Sequence, residues 1–304
     1  MIIFKPKRSI EIITSINEYL SEKRAIGKLS ESSAINRRYE LVRFYKFCIS
    51  HKIKYAEKIH KNIIICYLKT IKVANTTKTT IMYVLSMYMD YLVQEGIVPD
   101  NYAAILDKPK NNYPEADYLE FWEVEKIFQT EADLATPKTV DRNLLIMSLF
   151  FTLCLRASEA VNLRLKDVRL ELKQIWMRRK GGKIAKLPLN DDIVEQFLNW
   201  YTIRRQYHGA DTHWVFLSSR GNPLTTRQAR YIVSNALRRA DIFKRKNGTH
   251  LLRHSGATWR LKRGEDIKVI QYLLGHSSLA TTEKYLHFNE NDLKEMVNRS
   301  PKLY

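Results

Sequence analysis

The sequence has few of the residues that build disulfide frameworks, metal centres or nucleotide-phosphate loops. Its three cysteines, Cys48, Cys66 and Cys154, each lie among apolar residues and share no metal-ligand spacing. They read as buried free thiols of a reducing compartment, which sets aside a disulfide-stapled fold. No secretory signal is expected, because Lys5, Lys7 and Arg8 stand where its apolar stretch would begin. The longest apolar run, 144–155, is interrupted by Ser148 and Thr152 and is too short to span a bilayer. A cytoplasmic protein is expected. A glycine-rich loop for ATP phosphates and a carboxylate cluster for Mg²⁺ are both lacking, so neither cofactor nor metal is expected. Internal repeats and low-complexity stretches are lacking too.

Positive charge is abundant instead. Lys and Arg number 51 against 32 Asp and Glu, a formal net charge of +19. Residues 1–110 hold 19 basic and 10 acidic side chains, a net of +9, which leaves +10 for the remainder. The excess therefore runs through the whole chain rather than sitting in a tail. With 45% hydrophobic and 27% charged residues the chain is that of a folded protein, and 304 residues suffice for two domains. A folded protein that is basic throughout suits a long polyanion, with nucleic acid first on that list. A basic surface kept only for solubility is the competing reading.

The first hundred residues read as four helices. Ile10, Ile13, Ile16, Tyr19 and Leu20 recur at helical spacing before a break at Gly27. A second helix, capped by Ser30, Ser32 or Ser33, carries Ile35, Tyr39, Val42, Phe44 and Phe47. A third is expected over about 58–72, and a fourth from about 75–77 to Gly96. The stretch around Pro109, Asn111, Asn112 and Pro114 is the best linker. This gives a helical domain over 1–107, a linker over 108–118 and a second domain over 119–304. In the second domain, helices are expected near 120–129 and 141–155. Strands at 174–179 and 184–189 would flank a two-residue Gly181-Gly182 hairpin turn. A helix over 191–205 and a third strand at 214–217 should follow. Further helices are expected near 225–240, 249–262, 266–274 and 290–298.

Four segments collect reactive side chains. In Leu-Arg-Ala-Ser-Glu, 155–159, a cation stands where the apolar helix ends, and Glu159 is a ready partner. Taken alone, a structural ion pair explains Arg156 as well as function does. The hairpin tip holds Arg179, Lys180 and Lys183, cations suited to a DNA groove or simply to solvent. Over 249–254, a helix would place His250 and Arg253 on one face at i and i+3, with Leu251 and Leu252 turned to the core. In the stretch 273–287, Gly275 reads as a helix C-cap and Ser277 or Ser278 as the next N-cap. His276 then falls at a junction, with Tyr285 on the following helix. Tyr285 is one tyrosine among 17, distinguished only by its company.

Taken together, these segments resemble the tyrosine recombinase (phage integrase) family. The likeness rests on Arg156 in its box, Lys180 before Gly-Gly, His-Leu-Leu-Arg-His at 250–254, Leu-Gly-His at 274–276, and Tyr285 nine residues after that His. Order and spacing both match, and the likeness is strongest over about 145–288. It implies a mainly α fold: a helical core-binding domain, then a mostly helical α/β catalytic domain with a small antiparallel sheet. It also implies that Arg156 and Arg253 bind the scissile phosphate, Lys180 is the general acid, His250 assists proton transfer, His276 hydrogen-bonds the phosphate and Tyr285 is the nucleophile. Cleavage would leave a 3′-phosphotyrosine and pass through a Holliday junction. Double-stranded DNA would be bound by a dimer per site and a homotetramer on two sites, with or without accessory proteins.

Two positions depart from the family pattern. Arg179 stands where glycine is frequent, and Ala185 where a basic residue is common, so Lys183 is second choice as the catalytic lysine. Without an evident extra DNA-binding domain before residue 10, the resemblance points to an Xer-like or transposon-resolving member. A type IB topoisomerase, with a similar residue set, and a basic DNA-binding protein without chemistry are the alternatives. The helix over 290–298 is expected either to dock on a neighbouring protomer or to pack on its own domain.

Overall fold

In the computed structural model the described residues are 4–109, 117–179, 182, 184–275, 294, 296–301 and 303. The chain divides into two units, Met1–Pro114 and Glu115–Tyr304.

The first unit is built from α1 (Ile12–Ala25), α2 (Glu31–Ser50), α3 (Lys61–Thr70) and α4 (Asn75–Gln94). Ser30 caps α2 by accepting the Ser33 backbone N–H at 3.4 Å, and Gly96, with φ +67°, ends the chain's run through α4. Ile16, Tyr19, Leu41, Phe44, Ile64, Leu85 and Tyr88 meet in one core. Two expectations are corrected. Ile35 and Tyr39 lie on the solvent side of α2, 64% and 65% exposed, because that helix buries Leu41, Phe44 and Cys48. Cys66 is exposed rather than buried; Cys48 and Cys154 are buried.

The second unit is organised around α6 (Val140–Phe151), in which every residue from Arg142 to Phe151 is buried. Against it pack α5 (Phe121–Leu134), α8 (Asp191–Arg204), α9 (Thr226–Arg239) and α10 (Thr249–Lys262). The short α7 (Ala157–Val161) leads to the sheet, and α11 (Ile267–Leu274) follows α10. Gly256 sets how closely α10 crosses α6: a Cβ there would sit 2.0 Å from the Phe151 carbonyl oxygen. That crossing fixes where the first turn of α10 lies.

The sheet has three antiparallel strands, β1 (Val168–Arg169), β2 (Gln174–Arg178) and β3 (Ile184–Pro188), in the order β1-β2-β3. Its register pairs Gln174 with Pro188 and Arg178 with Ile184, a ladder centred on residue 181. The expected two-residue turn at Gly181-Gly182 falls among residues 180–183, of which 180, 181 and 183 lie outside the described residues. Burial sets the register of the strands: it turns Ile175, Met177, Ala185 and Leu187 into the core, and a one-residue slip would expose one strand's set.

The expected strand at 214–217 does not form either; only isolated bridges join Arg164 to Trp214 and Leu217 to Pro223. Side chains take the acceptors a partner strand would need. Arg204 donates to the carbonyls of Ala210, Thr212 and Trp214 at 2.6–2.9 Å, and Trp200 Nε1 donates to Val215.

Among the described residues, no helix is long and apolar enough to cross a membrane. The described part of the chain's end packs in cis, with Met296, Val297 and Leu303 buried in the second unit's own core. Ser300 Oγ accepts from Arg260, which is 0% exposed.

Candidate active site

The apolar helix ends earlier than its sequence suggests. It stops at Phe151, and Cys154 adopts a left-handed conformation with φ +49° before the chain straightens at Arg156. Arg156 is therefore the residue that starts α7, not the last residue of α6. Glu159, in the first turn of α7, accepts both the Arg156 backbone N–H at 2.7 Å and its guanidinium at 2.8 Å. One carboxylate thus closes the helix start and pins the side chain, as the local spacing suggested.

Helix α10 begins at Gly248, whose φ of +90° turns the chain into it. Its first turn places His250 outward, buries Leu251 and Leu252, and aims Arg253 inward, where it is 6% exposed. Arg253 meets Arg156 at Glu159: Arg253 Nη1 lies 3.8 Å from Glu159 Oε2. Its Nη1 also donates to the Cys154 carbonyl and its Nη2 to the Leu274 carbonyl at 2.6 Å.

Burial, with Arg156 close by, pushes the Arg253 pKa down to about 10, while Glu159 opposes the fall. Even so it is a full cation at neutral pH. The His250 pKa is lowered from the ordinary value of 6.5, first by burial and then by Arg253, Arg230, Arg156 and Lys246. The imidazole is thereby held neutral at pH 7, able to accept a proton.

The structure thus brings together Arg156, Arg253 and Glu159, with His250 one turn from Arg253. Lys180, Lys183, His276 and Tyr285 lie outside the described residues. Sequence reasoning named Arg179 as a hairpin-tip cation and a departure from pattern, and missed its contact with α11. It follows β2 and reaches α11, donating through Nη1 to the Tyr272 carbonyl and through Nη2 to that of Leu273 at 2.8 Å. Arg156 Nη2 donates to the next exposed acceptor, the Gly275 carbonyl, at 2.8 Å. Arg179, Arg253 and Arg156 together satisfy the carbonyls of four consecutive residues, Tyr272 to Gly275, at the negative end of α11. Beside Arg156 opens a cleft of about 1080 Å³ lined also by Arg164, Lys166, Arg178, Trp176 and Trp214. Arginines and lysine outnumber the two carboxylates on its walls, Glu159 and Asp167, a balance suited to a phosphate backbone.

The profile of the phage integrase family matches residues 117–292. A tyrosine recombinase XerC of Oceanobacillus iheyensis is 33% identical over 71% of this chain and 71% of its own. A tyrosine recombinase XerD of Staphylococcus aureus is 28% identical over 94% of this chain and 98% of its own. Among solved structures, the site-specific recombinase XerH bound to its difH substrate superposes with TM-score 0.72, at 21% identity, over 98% of this chain and 99% of its own. A lambda integrase tetramer bound to a Holliday junction gives 0.69, at 18% identity, over 88% and 78%. The chain belongs to the phage integrase family of tyrosine recombinases, enzymes of site-specific recombination that cleave and rejoin DNA. Its mainly helical fold with a small antiparallel sheet agrees with those neighbours.

Proposed function

We propose that this chain recombines two DNA sites through a 3′-phosphotyrosine on Tyr285, with Arg156 and Arg253 as the phosphate grip. The observation that carries this reading is the meeting of Arg156 and Arg253 at Glu159, with His250 one turn away on α10. Tyr285 Oη attacks phosphorus and the bond to the 5′ oxygen breaks. The phenolic proton passes to His250, and Lys180 supplies the proton that the 5′ oxygen takes. A phenol of pKa about 10 is only about a thousandth ionised at pH 7, so base and field are both needed. The two guanidiniums hold the charge that builds on the non-bridging oxygens. His276 adds a hydrogen bond to the same phosphate. Lys183 is the second candidate for the acid.

The phosphotyrosine conserves the bond energy, and the free 5′ hydroxyl then attacks the partner duplex through a Holliday junction. Residues 1–107 would clamp the duplex and 119–304 carry the chemistry, joined by 108–118. A dimer on each site and a tetramer on the pair, inside the cytoplasm, complete the scheme. The neighbour solved as a tetramer on a Holliday junction supports this. Two labelled duplexes carrying the site should yield joined recombinant products. Relaxation of supercoils without such products would favour the topoisomerase reading, and binding without either would favour a protein with no chemistry.

His250 gives a pH prediction. In the DNA-free enzyme its NMR titration midpoint should fall below 6.5. Its folded pKa is below its unfolded one, so the unfolded chain binds that proton more readily. Stability from this group is therefore present above about pH 6.5 and is lost as pH falls from there toward the folded pKa. A midpoint above 6.5 in the free enzyme would remove His250 as a base held neutral.

A further inference from the structure

Arg179 is one of the two residues that depart from the family pattern, and its surroundings are specific. It leaves β2 at the base of the hairpin and is half-buried against the last turn of α11. Its two terminal nitrogens donate to adjacent carbonyls, Tyr272 and Leu273, and its guanidinium carbon lies 5.6 Å from the centre of the Tyr272 ring. The side chain is thus held on three sides, and burial lowers its pKa. A solvated surface arginine would instead keep its rotamer freedom. The partner helix is shaped to receive it: a Cβ on Gly275 would lie within 2.8–2.9 Å of the Arg179 guanidinium. Gly275 also has φ +56°, so glycine there both permits the turn and leaves room for the arginine.

We propose that Arg179 is a positioning residue that ties the β2–β3 hairpin to the C-terminus of α11. It fixes one flank of the arginine pair and sets the start of the hairpin tip from which Lys180 delivers its proton. This rests on the assignment of Lys180 as general acid given above. The chain path supports it: Arg179 is bonded directly to Lys180, and Gly275 directly to His276, so the contact joins the segments that lead into two of the proposed site residues. Where a glycine would leave the hairpin free to move, the arginine ties it to the helix whose remaining carbonyls hold Arg253 and Arg156.

The test uses the full chain in single-turnover cleavage of a nicked suicide substrate. It compares an ordinary scissile phosphate with one whose bridging 5′ oxygen is replaced by sulfur. With the sulfur substrate, Tyr285 Oη still forms the bond to phosphorus, but the P–S bond breaks to release a thiolate that needs no proton. Arg179→Gly should slow the ordinary reaction about 10- to 100-fold, the scale of a misplaced catalytic group, and recover to within a few-fold of wild type on the sulfur substrate. Arg179→Lys, able to reach one carbonyl, should fall between. In the DNA-free protein, Arg179→Gly should also speed hydrogen exchange in peptides covering 174–178 and 267–275 together.

Wild-type rates on the ordinary substrate, an equal loss on both substrates, or unchanged exchange would each overturn the proposal. Lys180→Ala, run beside it, separates two failures. If it is not rescued by sulfur, the general-acid assignment falls and takes this proposal with it. If it is rescued and Arg179→Gly is not, only the role of Arg179 falls.

Discussion

Tyr285→Phe should abolish covalent joining of the protein to DNA while leaving DNA affinity within about twofold. The argument is chemical. A phenyl ring without its oxygen cannot form the phosphoester, and no field or base can compensate for a missing nucleophile. The ring's bulk and apolar surface are retained, so packing is little changed, and one hydroxyl adds little to an affinity set mainly by phosphate contacts. The measurement is a denaturing gel of a suicide substrate, beside a binding titration at the same salt. An adduct that persists in Tyr285→Phe would move the nucleophile elsewhere. A wild type that gives none on its proper site would remove the covalent mechanism.

The elements around the proposed site were legible in the sequence to different degrees, for identifiable reasons. Helix α10 matched its expected bounds because Gly248 and the buried Leu251-Leu252 pair mark its start and its inner face. Helix α11 and its cap were readable from Asp266, whose side chain accepts the Lys268 N–H, and from Gly275. The Arg156–Glu159 pair followed from a spacing of three.

What could not be read was long-range use of backbone acceptors. The carbonyls of Tyr272 to Gly275 have no signature in the sequence, yet they are what Arg179, Arg253 and Arg156 hold. The same cause removed the strand expected at 214–217, whose acceptors Arg204 and Trp200 occupy. Helix α2 misled for another reason. It carries apolar side chains on both faces, so Ile35 and Tyr39 fitted a helical period without facing the core.

The second large effect separates the two arginines. Both Arg156→Ala and Arg253→Ala should slow cleavage by about 10³-fold or more, the scale of a positioned arginine in phosphoryl transfer. Their effects on stability should differ. The Arg156 side chain is 34% exposed, and its partner Glu159, 8% exposed, keeps Arg253 3.8 Å away when Arg156 is truncated. Arg253 is 6% exposed and satisfies the carbonyls of Cys154 and Leu274. Truncating it strands both acceptors, at about 1–3 kcal/mol each. For a unit of this size that corresponds to a fall in Tm of several degrees, at about 2–4 °C per kcal/mol.

Arg253→Lys should not restore the rate. An ammonium is a point charge, whereas the guanidinium has five N–H donors. Two suffice for the carbonyls of Cys154 and Leu274, and those left over are what a phosphate would use. The lysine would also carry its charge less securely. Burial and the neighbouring Arg156 lower the arginine to about 10, and both would lower a lysine pKa in the same direction. Its cleavage deficit should therefore widen as pH rises. Either alanine variant cleaving within tenfold of wild type would remove that arginine from the phosphate grip. An Arg253→Ala protein as heat-stable as Arg156→Ala would mean that the helix-end carbonyls do not depend on it.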